Sequence, residues 1–151
     1  MFNKIFCPID GSQTSIHCLA EAIKIAKAHH SHLMIFHIVD DFYPFLDGLE
    51  IANLAEIEKE LRKKGEKLLV AALEKASSEG IKAESKLIEI LNKKISNVII
   101  EEAVKWEADL IVIGTHGRRG INHLMLGSDT EAVVRASPIP VLTIRNQSSS
   151  T

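Results

Sequence analysis

The segment from Gly114 to Ser128 contains the residues whose types and spacing are best suited to binding a ligand. Its glycines follow the pattern Gly114-x2-Gly117-x9-Gly127-Ser128. Glycine lets the backbone approach a bound group closely and adopt positive φ values. The segment lies between an apolar run and a helical pattern, where main-chain N–H groups and the helix dipole favour an anion. These features predict a phosphate-binding loop.

Two familiar phosphate motifs do not describe this loop, whereas a purely structural interpretation covers part of it. No Gly-Lys-Ser/Thr sequence closes the loop, as a P-loop requires, and the G-x-G of the dinucleotide fingerprint is absent. Ser128 and Glu131 fit an S-x-x-E capping box, which would explain both residues without a ligand. The two interpretations are compatible, because a cap uses the hydroxyl whereas a phosphate would use N–H groups.

Apolar patterns of two kinds alternate along the chain and predict the elements that hold this loop. Short apolar runs predict strands, and apolar residues at helical spacing predict helices. Asp10-Gly11-Ser12 signals a turn after the first strand, and Asn92 is predicted to cap the third helix. The predicted strands are 4–9, 33–39, 82–89, 109–113 and 139–144, and the predicted helices are 16–26, 54–76, 95–106 and 128–136.

This alternation predicts one α/β domain over residues 1–146 and a disordered polar tail at 147–151. The expected architecture is an open, parallel, five-stranded sheet with right-handed crossovers and helices on both faces. Sheets of this kind bind ligands beyond the carboxyl ends of their strands, where the strand order reverses. The glycine loop follows the fourth strand and is therefore expected at that edge.

Composition restricts the class of protein. Hydrophobic residues make up 46% and charged residues 25% of the chain, as in a globular domain with a core. The net charge of −2 argues against sequence-independent nucleic-acid binding, which uses many Lys and Arg contacts to phosphate. Cys7 and Cys18 are expected to be reduced core thiols. No signal peptide or long apolar run is found, so a cytoplasmic protein without a membrane span is expected.

The chain resembles the universal stress protein family, in particular its ATP-binding branch. The resemblance rests on the G-x2-G-x9-G-[ST] pattern, Asp10 after the first strand, the His37-Ile38 pair closing the second, and a final Pro-Val-Leu strand. It implies a Rossmann-like fold, similar to adenine nucleotide alpha hydrolases, with strand order 3-2-1-4-5. It further implies a stress-response regulator or protective protein that forms a homodimer. The dimer contact would involve the C-terminal edge strand, Ile139–Ile144.

The resemblance also implies ligand contacts residue by residue. Asp10 would contact the ribose or the adenine edge, and Pro8 and Ile38 would line the adenine pocket, Ile38 through its backbone. The loop would enclose the phosphates from two sides. The implied positions on this loop and the strand before it are Ile113, Gly114, Thr115, His116, Gly117, Arg118, Gly127, Ser128 and Asp129.

Asp129 departs from the family pattern, which often has a small or apolar residue at this position. A carboxylate near phosphates repels them unless a cation such as Mg²⁺ intervenes. The sequence therefore leaves open whether the ligand is ATP, ADP or AMP and whether Mg²⁺ accompanies it. No metal ligand is assigned.

Two other functions stay open at this point. A slow nucleotide hydrolase would use the same loop, although the sequence shows neither a P-loop lysine nor paired carboxylates at metal spacing. No catalytic residue is assigned, and at most weak ATPase activity is expected. A nucleotide-free interaction module is the other alternative. The role of the aromatic loop, with Phe42, Tyr43 and Phe45, is also open.

Overall fold

In the part of the chain that the structure describes, five parallel strands alternate with four helices. This computed structural model describes residues 1–40, 51–116 and 126–146. The sheet has the order β3-β2-β1-β4-β5 and all its pairings are parallel, which confirms the predicted fold class. The strands are β1 (Lys4–Pro8), β2 (His32–Asp40), β3 (Lys82–Ile90), β4 (Leu110–Gly114) and β5 (Val141–Ile144), and the helices are α1 (Gln13–His29), α2 (Ile51–Ser78), α3 (Ile95–Lys105) and α4 (Ser128–Ala136).

Helices cover the sheet on both faces. Successive residues of a strand point to opposite faces. Ile5 and Cys7 therefore share one core with apolar residues of α1 and α2. Phe6, Met34 and Ile111 share the other core with α3 and α4. Burial on both faces explains why the central strands read as continuous apolar runs instead of alternating ones.

The order of the strands reverses between β1 and β4, at the centre of the sheet. From β1 the chain proceeds outward to β2 and β3, and it returns to the other side of β1 at β4. Helices α1 and α2 pack on one face, and α3 and α4 pack on the other. Connections that leave in opposite directions open a crevice at the carboxyl ends of the two central strands.

Some element boundaries differ from the predictions, each for a backbone reason. Helix α4 begins after an N-cap at Gly127, so the Ser128 capping box is wrong because Ser128 is already helical. The predicted Asn92 cap is also wrong: Asn92 has φ 55°, and the N-cap of α3 is Lys94. Strand β5 begins at Val141, later than predicted, since Pro140 has no N–H to donate to the ladder.

Cys7 and Cys18 are free and buried, as predicted. A hydrogen bond with Cys18, together with burial, raises the pKa of the Cys7 thiol well above its ordinary value, so this thiol stays protonated.

Among the described residues, no helix has the length and apolar character needed to cross a membrane. The aromatic loop is predicted over Asp40–Glu50, but Asp40 is the last residue of β2. The rest of that loop and the predicted tail at 147–151 lie outside the described residues.

Candidate functional site

Asp10 begins the turn that connects β1 to α1, and a local hydrogen-bond network sets its position. Its Oδ1 accepts a hydrogen bond from the Ser12 N–H at 2.9 Å, across Gly11, which has φ 84°. Ser12 is the N-cap of α1, and its Oγ accepts from the Ser15 N–H at 3.2 Å. The Gly11 N–H donates to Ser15 Oγ at 3.1 Å. The Asp10 carboxylate is therefore held at the carboxyl end of β1 by short-range contacts.

Ile9, which joins β1 to Asp10, is held by β2 through both of its main-chain groups. The Ile9 N–H donates to the Phe36 carbonyl oxygen at 2.8 Å. The Ile9 carbonyl oxygen lies 2.8 Å from Nδ1 of His37, which must carry the proton in this contact. His37 is buried. The sequence marked His37 only as part of the resemblance, and the structure shows what its side chain does.

Pro8 and Ile38, which are expected to line an adenine pocket, share one face of the sheet with Ile113, another expected ligand position. Ile113 and Ile38 belong to the core on the α3 and α4 side, and strand alternation places Pro8 on that side with Phe6. Phe6 pairs with Ile111, and continuing this register brings Pro8 level with Ile113. Pro8 and Ile38 are only half-buried. They therefore present apolar surface at the carboxyl edge, between buried core and solvent.

The glycine loop starts at Gly114, where β4 approaches the first turn of α1. A Cβ added to Gly114 would lie 2.9 Å from Cγ2 of Thr14, so a close approach of two elements already requires glycine here. Thr115 is buried, and its N–H donates to the Ile144 carbonyl oxygen at 3.0 Å. Its Oγ1 lies 3.0 Å from Nδ1 of the half-buried His116.

The far end of the loop returns to its start through two hydrogen bonds. The Gly127 N–H donates to the Thr115 carbonyl oxygen at 2.7 Å. Thr130 Oγ1 donates to the Gly114 carbonyl oxygen at 2.8 Å. Sequence reasoning missed Thr130; the only available signal was a hydroxyl residue in the first turn of a helix that follows Gly-Ser. Gly117 and Arg118, two further predicted ligand positions, lie outside the described residues.

The first turn of α4 lies beside residues 114–115 at this end of the sheet. The first N–H groups of a helix have no acceptor within it, and the N-cap residue, Gly127, has no side chain that could cap α4. Ser128 and Asp129 are exposed there. Asp129 and Glu131 place negative charge in this turn, and Glu131 pairs with Arg135. The helix dipole favours an anion at this end.

The histidines that stand close together near residue 30 have separate structural roles. His30 is the C-cap of α1 with φ 56°, and Nε2 of His32 lies 3.2 Å from a Glu84 carboxylate oxygen. Over residues 1–40, 51–116 and 126–146, no group of three or more His, Cys, Asp or Glu side chains is arranged to hold a metal ion.

The fold and the crevice define an open α/β domain of the Rossmann-like class. A family model described as the universal stress protein family matches residues 1–145, and the chain belongs to this family. It is 34% identical over 146 residues to universal stress protein MJ0531 of Methanocaldococcus jannaschii, covering 96% of this chain and 83% of that protein. It is 34% identical over 151 residues to universal stress protein YxiE of Bacillus subtilis, covering 96% and 100%.

A solved structure also resembles this fold. It is the crystal structure of a universal stress protein in complex with cAMP, and the TM-score is 0.68 at 25% identity. The similarity covers 95% of this chain and 97% of that one. The complex shows that a protein of this fold and family binds a ligand with an adenine base and a phosphate.

Proposed function

We propose that the chain binds an adenine nucleotide in the crevice at the carboxyl ends of β1 and β4. The observation that carries this proposal is the contact between the start of α4 and residues 114–115. There the Gly127 N–H bonds to Thr115 at 2.7 Å, and Gly127, the N-cap of the helix, has no side chain that could cap it. The N–H groups of residues 128–130 are proposed to face a site edged by Asp10 and Gly114. Backbone donors at a helix N-terminus are suited to phosphate oxygens.

The adenine base is proposed to pack on the surface made by Pro8, Ile38 and Ile113. These residues share one face, and Pro8 and Ile38 are only half-buried. Main-chain groups near Ile38 would read the edge of the base, and their fixed donor and acceptor pattern would favour adenine over guanine. The cAMP complex of a family member supports an adenine-containing ligand.

The phosphates are proposed to lie between His116 and the first turn of α4, with Gly117 and Arg118 as further contacts. Asp129 lies in this turn and is proposed to influence how many phosphates the site accepts. ATP with Mg²⁺, ADP and AMP are all candidate ligands, and titration with and without chelator distinguishes them.

The physiological role that we propose is the one the family resemblance implies. The chain would be a cytoplasmic stress-response regulator or protective protein that acts as a homodimer and changes its interactions when a nucleotide binds. Hydrolysis is not part of this proposal, and no residue is assigned a catalytic role.

Calorimetry on protein stripped of bound ligand tests the binding function. ATP, ADP, AMP and GTP are titrated with Mg²⁺ and again with chelator, and any nucleotide released from the purified protein on denaturation is identified. We expect saturable binding of at least one adenine nucleotide and binding of GTP weaker by about tenfold or more. No binding of any adenine nucleotide, or equal binding of GTP, contradicts the proposal.

Asp10→Asn provides the matched variant for this experiment. Asparagine keeps an Oδ1 acceptor for the Ser12 N–H, so the turn is retained while the charge is lost. We expect adenine-nucleotide affinity to fall about tenfold, the effect of weakening a hydrogen bond to a charged group. Glu107→Gln is the control, because this exposed carboxylate lies just before β4, at the amino ends of the strands and away from the proposed site.

A further inference from the structure

Thr130 lies in the first turn of α4, and its side chain is directed toward the sheet. It is 4% exposed, although its neighbours Asp129 and Glu131 are exposed. Its Oγ1 donates to the main-chain carbonyl oxygen of Gly114 at 2.8 Å. A buried hydroxyl therefore links the start of a helix to the end of the strand that precedes the glycine loop.

A second hydrogen bond joins the same two segments. The Gly127 N–H donates to the Thr115 carbonyl oxygen at 2.7 Å, and the Thr115 N–H donates to Ile144 of β5 at 3.0 Å. Two adjacent residues at the start of the loop are thus tied to the N-cap and the first turn of α4. The two ends of the loop are held in one relative position.

Gly114 is confined from the other side as well. A Cβ at this position would lie 2.9 Å from Cγ2 of Thr14 and 3.5 Å from its carbonyl oxygen, so the backbone packs directly on α1. The Gly114 carbonyl accepts a hydrogen bond from Thr130, while the α-carbon of the same residue packs against Thr14. Gly114 therefore has little freedom to shift along either direction while the Thr130 bond is intact.

We infer that Thr130 is a positioning residue for phosphate binding: its hydroxyl sets the distance between residues 114–116 and the N–H groups of residues 128–130. This inference rests on the proposed nucleotide-binding function. Thr130 is not proposed to touch a phosphate; it acts through the Gly114 carbonyl. Loss of the hydroxyl lets the two walls of the phosphate site separate and leaves the partly buried Gly114 carbonyl without this donor.

Two variants that differ in the hydroxyl test this role. Thr130→Val keeps the branched shape and removes the hydroxyl, whereas Thr130→Ser keeps the hydroxyl and removes the methyl group. We expect Thr130→Val to weaken AMP or ATP binding by about tenfold, and Thr130→Ser to stay within about threefold of wild type. Adenosine, which has no phosphate, should bind both variants within about twofold of wild type, since the base surface is unchanged.

The contrast between nucleotide and adenosine separates positioning from a general loss of structure. Equal losses for AMP and adenosine, or similar nucleotide affinities for the valine and serine variants, overturn the inference. If Thr130→Val does not fold, Thr130→Ser and Thr130→Ala replace the pair, because these also differ by a hydroxyl alone. The same result is then expected from the hydroxyl-free member.

Hydrogen exchange distinguishes failure of this inference from failure of the proposed function. If wild-type protein binds no nucleotide, the proposed function is wrong, and the role of Thr130 is judged on the ligand-free protein. There, Thr130→Val should speed exchange of the Gly127 amide, which is bonded to Thr115, by about tenfold over Thr130→Ser. Unchanged exchange in the valine variant overturns the positioning role whether or not a nucleotide binds.

Discussion

Individual glycines of this chain are required for different physical reasons. Gly80 has φ +75°, where side chains are strained, and it turns the chain from α2 into β3. Gly114 has a neighbour in Thr14 that leaves little room for a Cβ. Gly127 has φ −59° and ψ 153°, which any residue can adopt, so its backbone conformation does not call for glycine. A close approach by a ligand would account for glycine at position 127.

Gly127→Ala is therefore expected to affect nucleotide binding, whereas Gly80→Ala is expected to affect stability. Gly127→Ala should lose most nucleotide binding, because the methyl group would lie between N–H groups and phosphate, while the free energy of unfolding stays near wild type. Gly80→Ala should lower that free energy by about 1 kcal/mol, the cost of a left-handed residue, with unchanged binding. Urea unfolding and fluorescent-ATP titration measure the two quantities.

The outcome at Gly127 decides the role of the loop. Should Gly127→Ala bind ATP as well as wild type, the loop is only a connection between β4 and α4. The proposal would then lose its main support.

Helix α2 approaches the sheet closely at Gly65. Gly65 stands within this long helix, where alanine would ordinarily be favoured by about 1 kcal/mol. A Cβ at Gly65 would lie 2.8 Å from Cδ2 of His37 and 2.8 Å from Cδ1 of Leu87. Both side chains are on strands, and His37 also holds Ile9. The glycine thus allows α2 to pack over the histidine that supports the site.

Gly65→Ala is expected to destabilise the protein although it improves helix propensity. Overpacking of a well-filled site costs about 1 to 3 kcal/mol, which exceeds the gain in propensity. Val70→Ala on the same helix is the control, since Val70 is 57% exposed and its truncation should change stability by less than about 0.5 kcal/mol. Urea unfolding of both variants tests this, and a more stable Gly65→Ala protein would show that α2 can move away from the sheet.

The strand order leaves β5 at one edge of the sheet. Leu142 is 39% exposed on this strand, and Val141 and Ile144 are half-buried. An exposed apolar edge strand tends to pair with another chain unless it is covered. Pairing of β5 with its copy would produce a symmetric contact and a closed dimer.

We predict that the protein is a homodimer with twice the chain mass of 16.7 kDa. Light scattering at micromolar concentration measures this mass. Leu142→Lys should yield monomers, because a charge on the edge strand opposes pairing. Val70→Lys, on α2 instead of the edge strand, should leave the mass unchanged. A wild-type monomer under these conditions would falsify the dimer.

Local sequence patterns were sufficient to predict the order of strands and helices, the α/β class and the glycine loop as the candidate site. These depend on local periodicity and turn residues, which neighbouring residues suffice to define. The order 3-2-1-4-5 came from the family resemblance, because periodicity does not say which strands are neighbours; the sheet confirms it.

The contacts that hold the site together became visible only once the helices and strands were packed. Gly127, not Ser128, is the N-cap of α4, since the loop bonds back to Thr115 and Ser128 falls inside the helix. The bond from Thr130 to Gly114 spans 16 residues, and the contact of His37 with Ile9 spans 28. Contacts between residues so far apart depend on how helices and strands pack. A pattern within a few residues contains no information about that packing.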